Sequence, residues 1–209
     1  MKRLKPLVVL LFIFVLFYSC KQKDEAALPI DSYVVLVSFD AFRWDYTDLY
    51  HTPNFDAMTA SGVRAERLIP SFPSKTFPNH YTLATGLYPD HHGIINNSFY
   101  ADELNGIYRI GDRRMVENPK AYYGEPIWVT AEKQDLKAAC FFWVGSEAPI
   151  GESYPTYWKR YDGSFPYMDR VEQVIQWLEM PLNKRPALIT LYFDEPDGVG
   201  HKFGPEHPE

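Results

Sequence analysis

Two continuous apolar segments of strand length constrain the fold of this chain more than any other feature of its sequence. They cover residues 33–39 and 187–193. A strand that is apolar on both faces must be covered on both faces, which is typical of parallel strands in α/β domains. Each segment is followed at once by an acidic residue, Asp40 or Asp194. Because ligands of open α/β sheets bind beyond the carboxyl ends of the strands, these ends are candidate site positions.

Between these two segments, helical and strand patterns alternate. A Thr-Pro start signal and a glycine stop signal predict a helix over 53–61, and the spacing of apolar residues predicts a longer helix over 166–180. The other predicted elements are listed here: short strands over 63–69 and 138–143, helices over 81–85 and 127–134, and loops with a small hairpin over 96–125. The alternation predicts an α/β domain over residues 32–209, with a central, mostly parallel sheet flanked by helices.

The composition suits one folded domain with an acidic surface. Hydrophobic residues make up 46% of the chain and aromatic residues 16%, which is enough for one sizeable core and unlike a disordered chain. The formal net charge is −6. A nucleic-acid binder needs a basic face that neutralises phosphates, so we expect no nucleic-acid binding.

The N-terminal segment has the pattern of an export signal. Basic residues precede an apolar run over 7–18, which is shorter than the roughly 20 residues of a membrane-spanning helix. The run ends next to Cys20, as in a bacterial lipoprotein signal. We therefore expect residues 1–19 to be removed, Cys20 to carry a lipid that anchors the protein to a membrane, and 20–31 to be a tether. The expected location is the bacterial cell envelope, periplasmic or at the cell surface, and an ordinary signal peptide is the alternative.

Two further places carry residues suited to a metal site or to catalysis. Asp197 and His201 follow the second apolar strand, with two glycines between them. A carboxylate and an imidazole at this spacing can reach one metal ion if the turn folds back, and spacing alone allows zinc, manganese or iron. Thr76 enters the 81–85 helix, where the field of a helix N-terminus favours an anion. A simple helix cap is the alternative interpretation of Thr76.

Four sequence segments, taken together, carry a resemblance to a known family. They are V-S-F-D-A-F-R over 37–43, F-P-S-K-T-F-P-N-H over 72–80, T-G-L-Y-P-D-H-H-G-I-I-N-N over 85–97 and E-P-D-G-V-G-H-K-F-G-P over 195–205. In this order and spacing they resemble the nucleotide pyrophosphatase/phosphodiesterase family of the alkaline phosphatase superfamily. The resemblance covers residues 33–205 and implies an alkaline phosphatase-like α/β domain.

The resemblance implies a role for individual residues. Two zinc ions are the implied cofactors: Asp40 and the oxygen of Thr76 would bind one ion, and Asp197 and His201 would bind the other. Thr76 would be the catalytic nucleophile, and Asn97 would donate a hydrogen bond to a phosphate oxygen of the substrate. The implied activity is zinc-dependent hydrolysis of phosphodiester or pyrophosphate bonds through a covalent phospho-threonine intermediate.

Aromatic residues are the implied contacts to the rest of the substrate. Phe77 stands beside the nucleophile, and Trp158 or Tyr161 could form a second aromatic wall, although core packing is the alternative for all three. The implied partner is a phosphodiester small molecule, nucleotide-like, and the sequence leaves its identity open. Nucleotide diesters, dinucleotide polyphosphates, nucleotide sugars and phospholipid head groups are all substrates within the family.

The family also needs an Asp-His pair and a further His, all beyond residue 205. The chain ends at Glu209, so we expect a C-terminally truncated catalytic domain that is inactive alone. The D-H-H-G run over 90–93 superficially resembles the missing pair and is expected to be a surface loop. A sulfatase is excluded because Cys140 lacks the motif that a sulfatase modifies. The remaining alternative is a catalytically incomplete lipoprotein that uses the fold for ligand binding.

Overall fold

In a computed structural model of the chain, residues 32–207 are described. The predicted signal segment, Cys20 and the 20–31 tether lie outside the described residues. Within 32–207, no helix has both the length and the apolar character needed to cross a membrane.

Strands and helices alternate along the described part of the chain, as predicted. The strands are β1 (Val34–Phe39), β2 (Ser98–Ala101), β3 (Gly106–Arg109), β4 (Ala138–Phe141), β5 (Tyr157–Lys159) and β6 (Leu188–Phe193). The helices are α1 (Tyr46–Leu49), α2 (Pro53–Ser61), α3 (Thr76–Thr85), α4 (Pro89–His92), α5 (Arg113–Val116), α6 (Ile127–Glu132), α7 (Tyr167–Leu178) and α8 (Asp197–Phe203), with short 3₁₀ turns at Asp102–Leu104, Pro119–Ala121 and Ile150–Glu152.

The two apolar segments form neighbouring strands of one parallel sheet. The strand order is β1-β6-β4-β5, and β6 pairs in parallel with β1 on one side and with β4 on the other. The pairing of β1 and β6 ends at Phe39 opposite Phe193, and the backbone N–H of Asp40 still donates to the carbonyl of Phe193, 2.9 Å away. Both strands therefore deliver their acidic followers to the same edge of the sheet. The predicted α/β class with a mostly parallel sheet is confirmed.

The core lies around β4, β6 and the helices that cover them. All four residues of β4 are buried, and so are the last five of β6. The largest fully buried apolar side chains include Trp128 of α6, Trp143 after β4 and Tyr81 of α3. Helix α7 covers the sheet with the apolar stripe that the sequence indicates, including Val174 and Trp177. Residues 98–109 form the predicted hairpin, in which β2 and β3 pair antiparallel.

The predicted strand over 63–69 is absent from the fold. The segment has no regular structure, and Val63 is 100% exposed. Strands need a neighbour that satisfies their backbone groups, and within the described residues none pairs with this segment. The prediction was wrong because an apolar pattern reports the preference of a segment and says nothing about the presence of a partner strand.

A buried arginine fixes the end of β6. Arg170 of α7 is fully buried, and its Nη1 donates to the carbonyl of Tyr192, 3.0 Å away, and to the carboxylate of Asp194, 2.9 Å away. Its guanidinium lies over the rings of Phe142 and Tyr167, with distances of 5.0 and 4.7 Å to the ring centroids. The contacts join α7 to the strand end that leads into α8.

Replacing Arg170 by methionine is expected to lower the free energy of unfolding by about 2–3 kcal/mol. The methionine keeps an apolar stem but leaves the Asp194 carboxylate without its cation, and breaking a buried ion pair by removing one partner is strongly destabilising. Arg160→Ala is the matched control, since Arg160 pairs with Glu117 on the surface. Urea unfolding of the full-length protein measures both, and equal effects of the two substitutions would contradict the assignment.

Candidate functional site

One cavity opens at the carboxyl ends of β1 and β6 and brings together the metal ligands and catalytic residues that the sequence predicts. Its volume is about 1220 Å³, and residues from four separate parts of the chain line it. Among the lining residues are Asp40, Thr76, Asn97, Asp197 and His201. The sheet edge where ligands of α/β domains bind thus carries these five predicted residues.

Asp40 is held at the end of β1 by its neighbours. The chain turns sharply at Ala41, which has φ of 58°, in the left-handed region that an alanine seldom adopts. The hydroxyl of Tyr192 donates a hydrogen bond to Oδ2 of Asp40, with a distance of 2.9 Å. Burial and the negative charge of Asp40 raise the pKa of the Tyr192 hydroxyl, so the phenol keeps the proton that it donates. Oδ1 of Asp40 stays available for a ligand.

Thr76 is the first residue of α3, one turn earlier than the predicted helix start. Lys75 is the N-cap residue, with no side-chain capping bond, so Thr76 is not the helix cap. The hydroxyl of Thr76 stands at the N-terminus of a ten-residue helix, where the helix dipole favours negative charge. Next to it, the backbone N–H of Phe77 donates to Oδ1 of Asn97, 3.0 Å away. The carboxamide of Asn97 thus uses its oxygen for the helix, and its NH₂ group can donate to a ligand.

Asp197 and His201 share one face of α8. They are four residues apart, and Oδ1 of Asp197 lies 3.4 Å from Nε2 of His201. The expected folded-back turn is a helix instead, which places both side chains one turn apart on the same side. Glu195 stabilises the start of this helix, because its carboxylate accepts the backbone N–H of Val199 at 3.0 Å. A Cβ at Gly198 would lie 2.7 Å from Oε1 of that carboxylate, so a larger residue there would displace the Glu195 side chain.

The electrostatics of the cavity favour a cation. Burial and the neighbouring carboxylate of Asp40 raise the pKa of Asp197, while His201 and Lys75 act in the opposite direction. Carboxylate oxygens with an imidazole nitrogen and a hydroxyl are ligand types that zinc accepts. Among residues 32–207, however, no three His, Cys, Asp or Glu side chains converge closely enough to hold an ion. The described residues therefore include donor types that suit a metal ion, and they do not by themselves form a complete metal site.

The comparisons with known proteins give the family. A family model described as type I phosphodiesterase / nucleotide pyrophosphatase matches residues 34–209. The chain belongs to this family. A venom phosphodiesterase of Crotalus durissus collilineatus is 46% identical over 192 residues, which make up 90% of this chain and 23% of that relative. Human ectonucleotide pyrophosphatase/phosphodiesterase family member 1 is 42% identical over 177 residues, with 84% and 19% of the two chains covered.

Solved structures of the phosphodiesterase family share the fold. Murine ectonucleotide pyrophosphatase/phosphodiesterase 5 matches with a TM-score of 0.80 at 35% identity, over 85% of this chain and 47% of that chain. Another structure of the same murine protein is described as an inactive threonine-to-alanine variant in complex with AMP. The alkaline phosphatase-like fold is thus confirmed. The chain spans about half of these solved structures, and about a quarter or less of the curated relatives' length.

The predicted location in a bacterial cell envelope is wrong. The curated relatives in this phosphodiesterase family are venom phosphodiesterases of snakes and ectonucleotide enzymes of mammals. They point to a eukaryotic secreted or membrane protein rather than to a bacterial lipoprotein. The prediction rested on a basic segment, an apolar run and one cysteine, and the first two of these are common to export signals in general.

The predicted aromatic contacts are not among the residues that line the cavity. Neither Phe77 nor Trp158 is among the cavity-lining residues. Phe77 packs against the core, with its ring centroid 6.3 Å from that of Tyr108, and Trp158 of β5 stacks on Tyr154 with centroids 4.9 Å apart. Tyr161 contacts Phe142, with centroids 5.1 Å apart. Tyr161 is also 41% exposed and lies next to Tyr192, with ring centroids 6.4 Å apart. The contacts of these three residues to the substrate stay predictions.

Two buried side chains outside the predicted site, those of His92 and Cys140, lie in the packed interior of the fold. His92, in the run that was expected to be a surface loop, is fully buried in α4, and its Nε2 lies 3.0 Å from the hydroxyl of Thr82. The loop prediction rested on the place of this run in the family pattern, and it was wrong for His92: the run forms a short helix in which Asp90 and His91 are exposed while His92 points inward and is satisfied internally. Cys140 is buried in β4, where burial raises the pKa of its thiol to about 12, so it is not a nucleophile.

Sequence analysis missed three residues that hold the family site in place. They are His80, Ser38 and Tyr192: His80 bonds both Ser38 and the backbone of Thr76, and Tyr192 bonds Asp40. Spacing carried a signal for two of them. Ser38 stands two residues before Asp40 on an alternating strand, and His80 stands one helical turn after Thr76. For Tyr192 no local signal exists, because its partner is 152 residues away.

Proposed function

We propose that the full-length protein hydrolyses phosphodiester or pyrophosphate bonds of a nucleotide-like small molecule, with Thr76 as the nucleophile. The observation that carries the proposal is the position of the Thr76 hydroxyl. It stands at the N-terminus of α3 in the cavity that Asp40, Asn97, Asp197 and His201 also line. Membership of a phosphodiesterase family supports the reaction class.

Each group of the proposed site has a separate role in the reaction. The oxygen of Thr76 attacks phosphorus, and as this P–O bond forms, the bond to the leaving oxygen breaks and an alcohol or a phosphate departs. The field of the α3 N-terminus stabilises the negative charge of the phosphoryl group. The NH₂ group of Asn97 donates to one of its non-bridging oxygens. Attack of water on the phospho-threonine then releases the nucleotide product and restores the hydroxyl.

Two zinc ions are the proposed cofactors. Asp40 and the Thr76 oxygen would hold one ion, and Asp197 and His201 would contribute to holding the other, with the remaining ligands beyond the described residues. When bound, such a pair supplies Lewis-acid stabilisation of the attacking and leaving oxygens. Asp40 and Asp197 place two carboxylates around one cavity, which matches a doubly charged cation.

A nucleotide is the proposed substrate class because of the relatives. A murine family member is described in complex with AMP, in a threonine-to-alanine variant that is inactive. We propose that Thr76 is the counterpart of that threonine. Phe77 and Trp158 remain the proposed aromatic contacts to the rest of the substrate, and in this chain their rings also pack against Tyr108 and Tyr154.

The test is an assay of the purified full-length protein on two chromogenic nitrophenyl esters, a nucleotide diester and simple nitrophenyl phosphate. We expect turnover of the diester and much weaker turnover of the monoester. Saturable AMP binding without turnover of either ester would contradict the proposal and would favour a protein that uses the fold for binding alone. Preference for the monoester would contradict the diester class.

A further inference from the structure

We propose that His80 is a positioning residue that sets the separation between Asp40 and Thr76, and that Ser38 is its partner in this role. The inference rests on the proposed function, because it assigns a role to residues around the proposed nucleophile. It differs from that function in naming groups that need not touch the substrate.

His80 connects the nucleophile helix to strand β1 through both ring nitrogens. Its Nδ1 lies 2.7 Å from the carbonyl oxygen of Thr76, and its Nε2 lies 2.7 Å from the hydroxyl oxygen of Ser38. Ser38 stands two residues before Asp40 in the chain. One side chain therefore joins the two chain segments that present Thr76 and Asp40 to the cavity.

The two contacts fix one tautomer of the imidazole. A carbonyl oxygen can only accept a hydrogen bond, so Nδ1 must carry the hydrogen that Thr76 accepts. Nε2 of the neutral ring is then an acceptor, and the hydroxyl of Ser38 donates to it. With both nitrogens engaged, the ring has no free position for accepting a proton from the substrate, which makes His80 a structural link rather than a general base.

The surroundings hold the ring of His80 in one orientation. The residue is 5% exposed, and its rim contacts the rings of Trp143 and Tyr192 edge to face, with centroids 5.4 and 5.1 Å apart. The indole N–H of Trp143 also donates to the backbone carbonyl of His80 at 3.0 Å. Tyr192 in turn bonds Asp40. The ring that links Thr76 to Ser38 thus also packs on the residue that orients Asp40.

The expected consequence is an effect on kcat. In-line attack needs the attacking oxygen and the groups around phosphorus at defined distances, and a misplacement of about 1 Å can lower a rate about 100-fold. Loss of the His80 link lets α3 and the end of β1 shift against each other. Ground-state binding of the nucleotide portion is affected much less, because none of the link's atoms is proposed to touch it.

Three single variants and the double variant His80→Phe/Ser38→Ala of the full-length protein test the role kinetically. His80→Phe keeps an aromatic ring and removes both bonds, and we expect kcat to fall about 10- to 100-fold with KM changed less than about threefold. His80→Asn keeps an N–H donor near the Thr76 carbonyl and is expected to recover part of kcat. Ser38→Ala is expected to lower kcat less than His80→Phe, and little further in the double variant, because both changes break the same link.

The matched control is His92→Phe, a second buried histidine that is bonded to Thr82 instead of to β1. We expect its kcat to stay within about twofold of the unmutated protein, because its ring is no part of the link. An unchanged kcat in His80→Phe, an equal loss in His92→Phe, or a loss confined to KM would overturn the inference.

A spectroscopic measurement covers the case in which His80→Phe does not fold. Nitrogen-15 NMR of the unmutated full-length protein is expected to show His80 as the Nδ1–H tautomer, and Ser38→Ala then tests kcat. The opposite tautomer would overturn the link. Failure of the proposed function looks different: an unmutated protein without diester turnover contradicts that function, whereas turnover that is insensitive to His80 and Ser38 contradicts only the present inference.

Discussion

Replacing Thr76 by alanine is expected to lower the kcat of the full-length protein for a nucleotide diester by about 10⁴-fold or more. The substitution removes the oxygen that forms the covalent bond to phosphorus, and loss of a nucleophile removes a whole reaction route rather than one stabilising contact. The loss is expected in kcat, while AMP still binds, because the helix N-terminus and Asn97 keep their positions. Steady-state kinetics and calorimetric titration with AMP measure the two parts.

Two further variants make the Thr76 result specific. Thr76→Ser keeps a hydroxyl and is expected to retain turnover well above that of Thr76→Ala, with a phosphorylated serine trapped on rapid acid quenching. Thr85→Ala changes the last residue of the same helix, where the hydroxyl donates to the carbonyl of Tyr81, and is expected to leave kcat unchanged. A Thr76→Ala protein with kcat within tenfold of the unmutated value would exclude the phospho-threonine route.

The sheet could be predicted because the apolar pattern of its strands lies within short, continuous stretches of sequence. Strands β1 and β6 are apolar on consecutive residues, a pattern that predicts a parallel sheet whose strands are buried on both faces. The parallel pairing and the burial of β6 are confirmed, whereas the prediction of burial was wrong for β1, whose side chains are exposed or half-buried because it is the edge strand of the sheet that the structure describes. The segment over 63–69 carries a similar signal and has no strand structure. Among the described residues, this segment has no neighbouring strand that offers free backbone groups, whereas β1 and β6 pair with each other. The presence of such a neighbour is a property of the assembled fold and cannot be predicted from a short stretch of sequence.

The sequence predicted which residues gather at the candidate site, but it did not predict the residues that hold them in position. The resemblance named Asp40, Thr76, Asn97, Asp197 and His201, and the fold brings these residues to one cavity. The groups that fix them act across the fold. His80 meets a serine 42 residues away, and Tyr192 orients a carboxylate 152 residues away. Such contacts depend on strand register and helix placement, which a motif does not encode.

For Trp158, the predicted contact with the substrate stays a prediction. Trp158 was expected to face the substrate because the family uses aromatic walls, but it lies on β5 stacked against Tyr154. Large aromatic side chains gain most from burial, so a tryptophan on a short strand next to the core finds partners within the fold. The sequence motifs next to the strand ends name residues that the fold brings to one cavity, whereas Trp158 lies in a segment where the resemblance gives no firm alignment.

Replacing His201 by alanine is expected to weaken the binding of one of two zinc ions by at least about 100-fold and to lower kcat in proportion. In the proposed zinc site His201 would supply the nitrogen ligand beside Asp197, and loss even of groups that only support metal ligands weakens affinity about 10- to 100-fold. Elemental analysis after dialysis is expected to give close to one zinc per chain instead of two. Chelation of the unmutated full-length protein is expected to abolish diester turnover, and added zinc to restore it.

The position of His201 makes this loss attributable to the metal. Its side chain is 80% exposed, so its removal leaves the packing of the core unchanged, and the metal-free variant is expected to unfold at the same temperature as the metal-free parent. His91→Ala is the matched control, since the side chain of His91 is also exposed, at 68%, and is bonded to Asp90. Unchanged zinc content and kcat in His201→Ala would remove the pair from the site. A loss of zinc with unchanged kcat would show that the ion is bound there without taking part in hydrolysis.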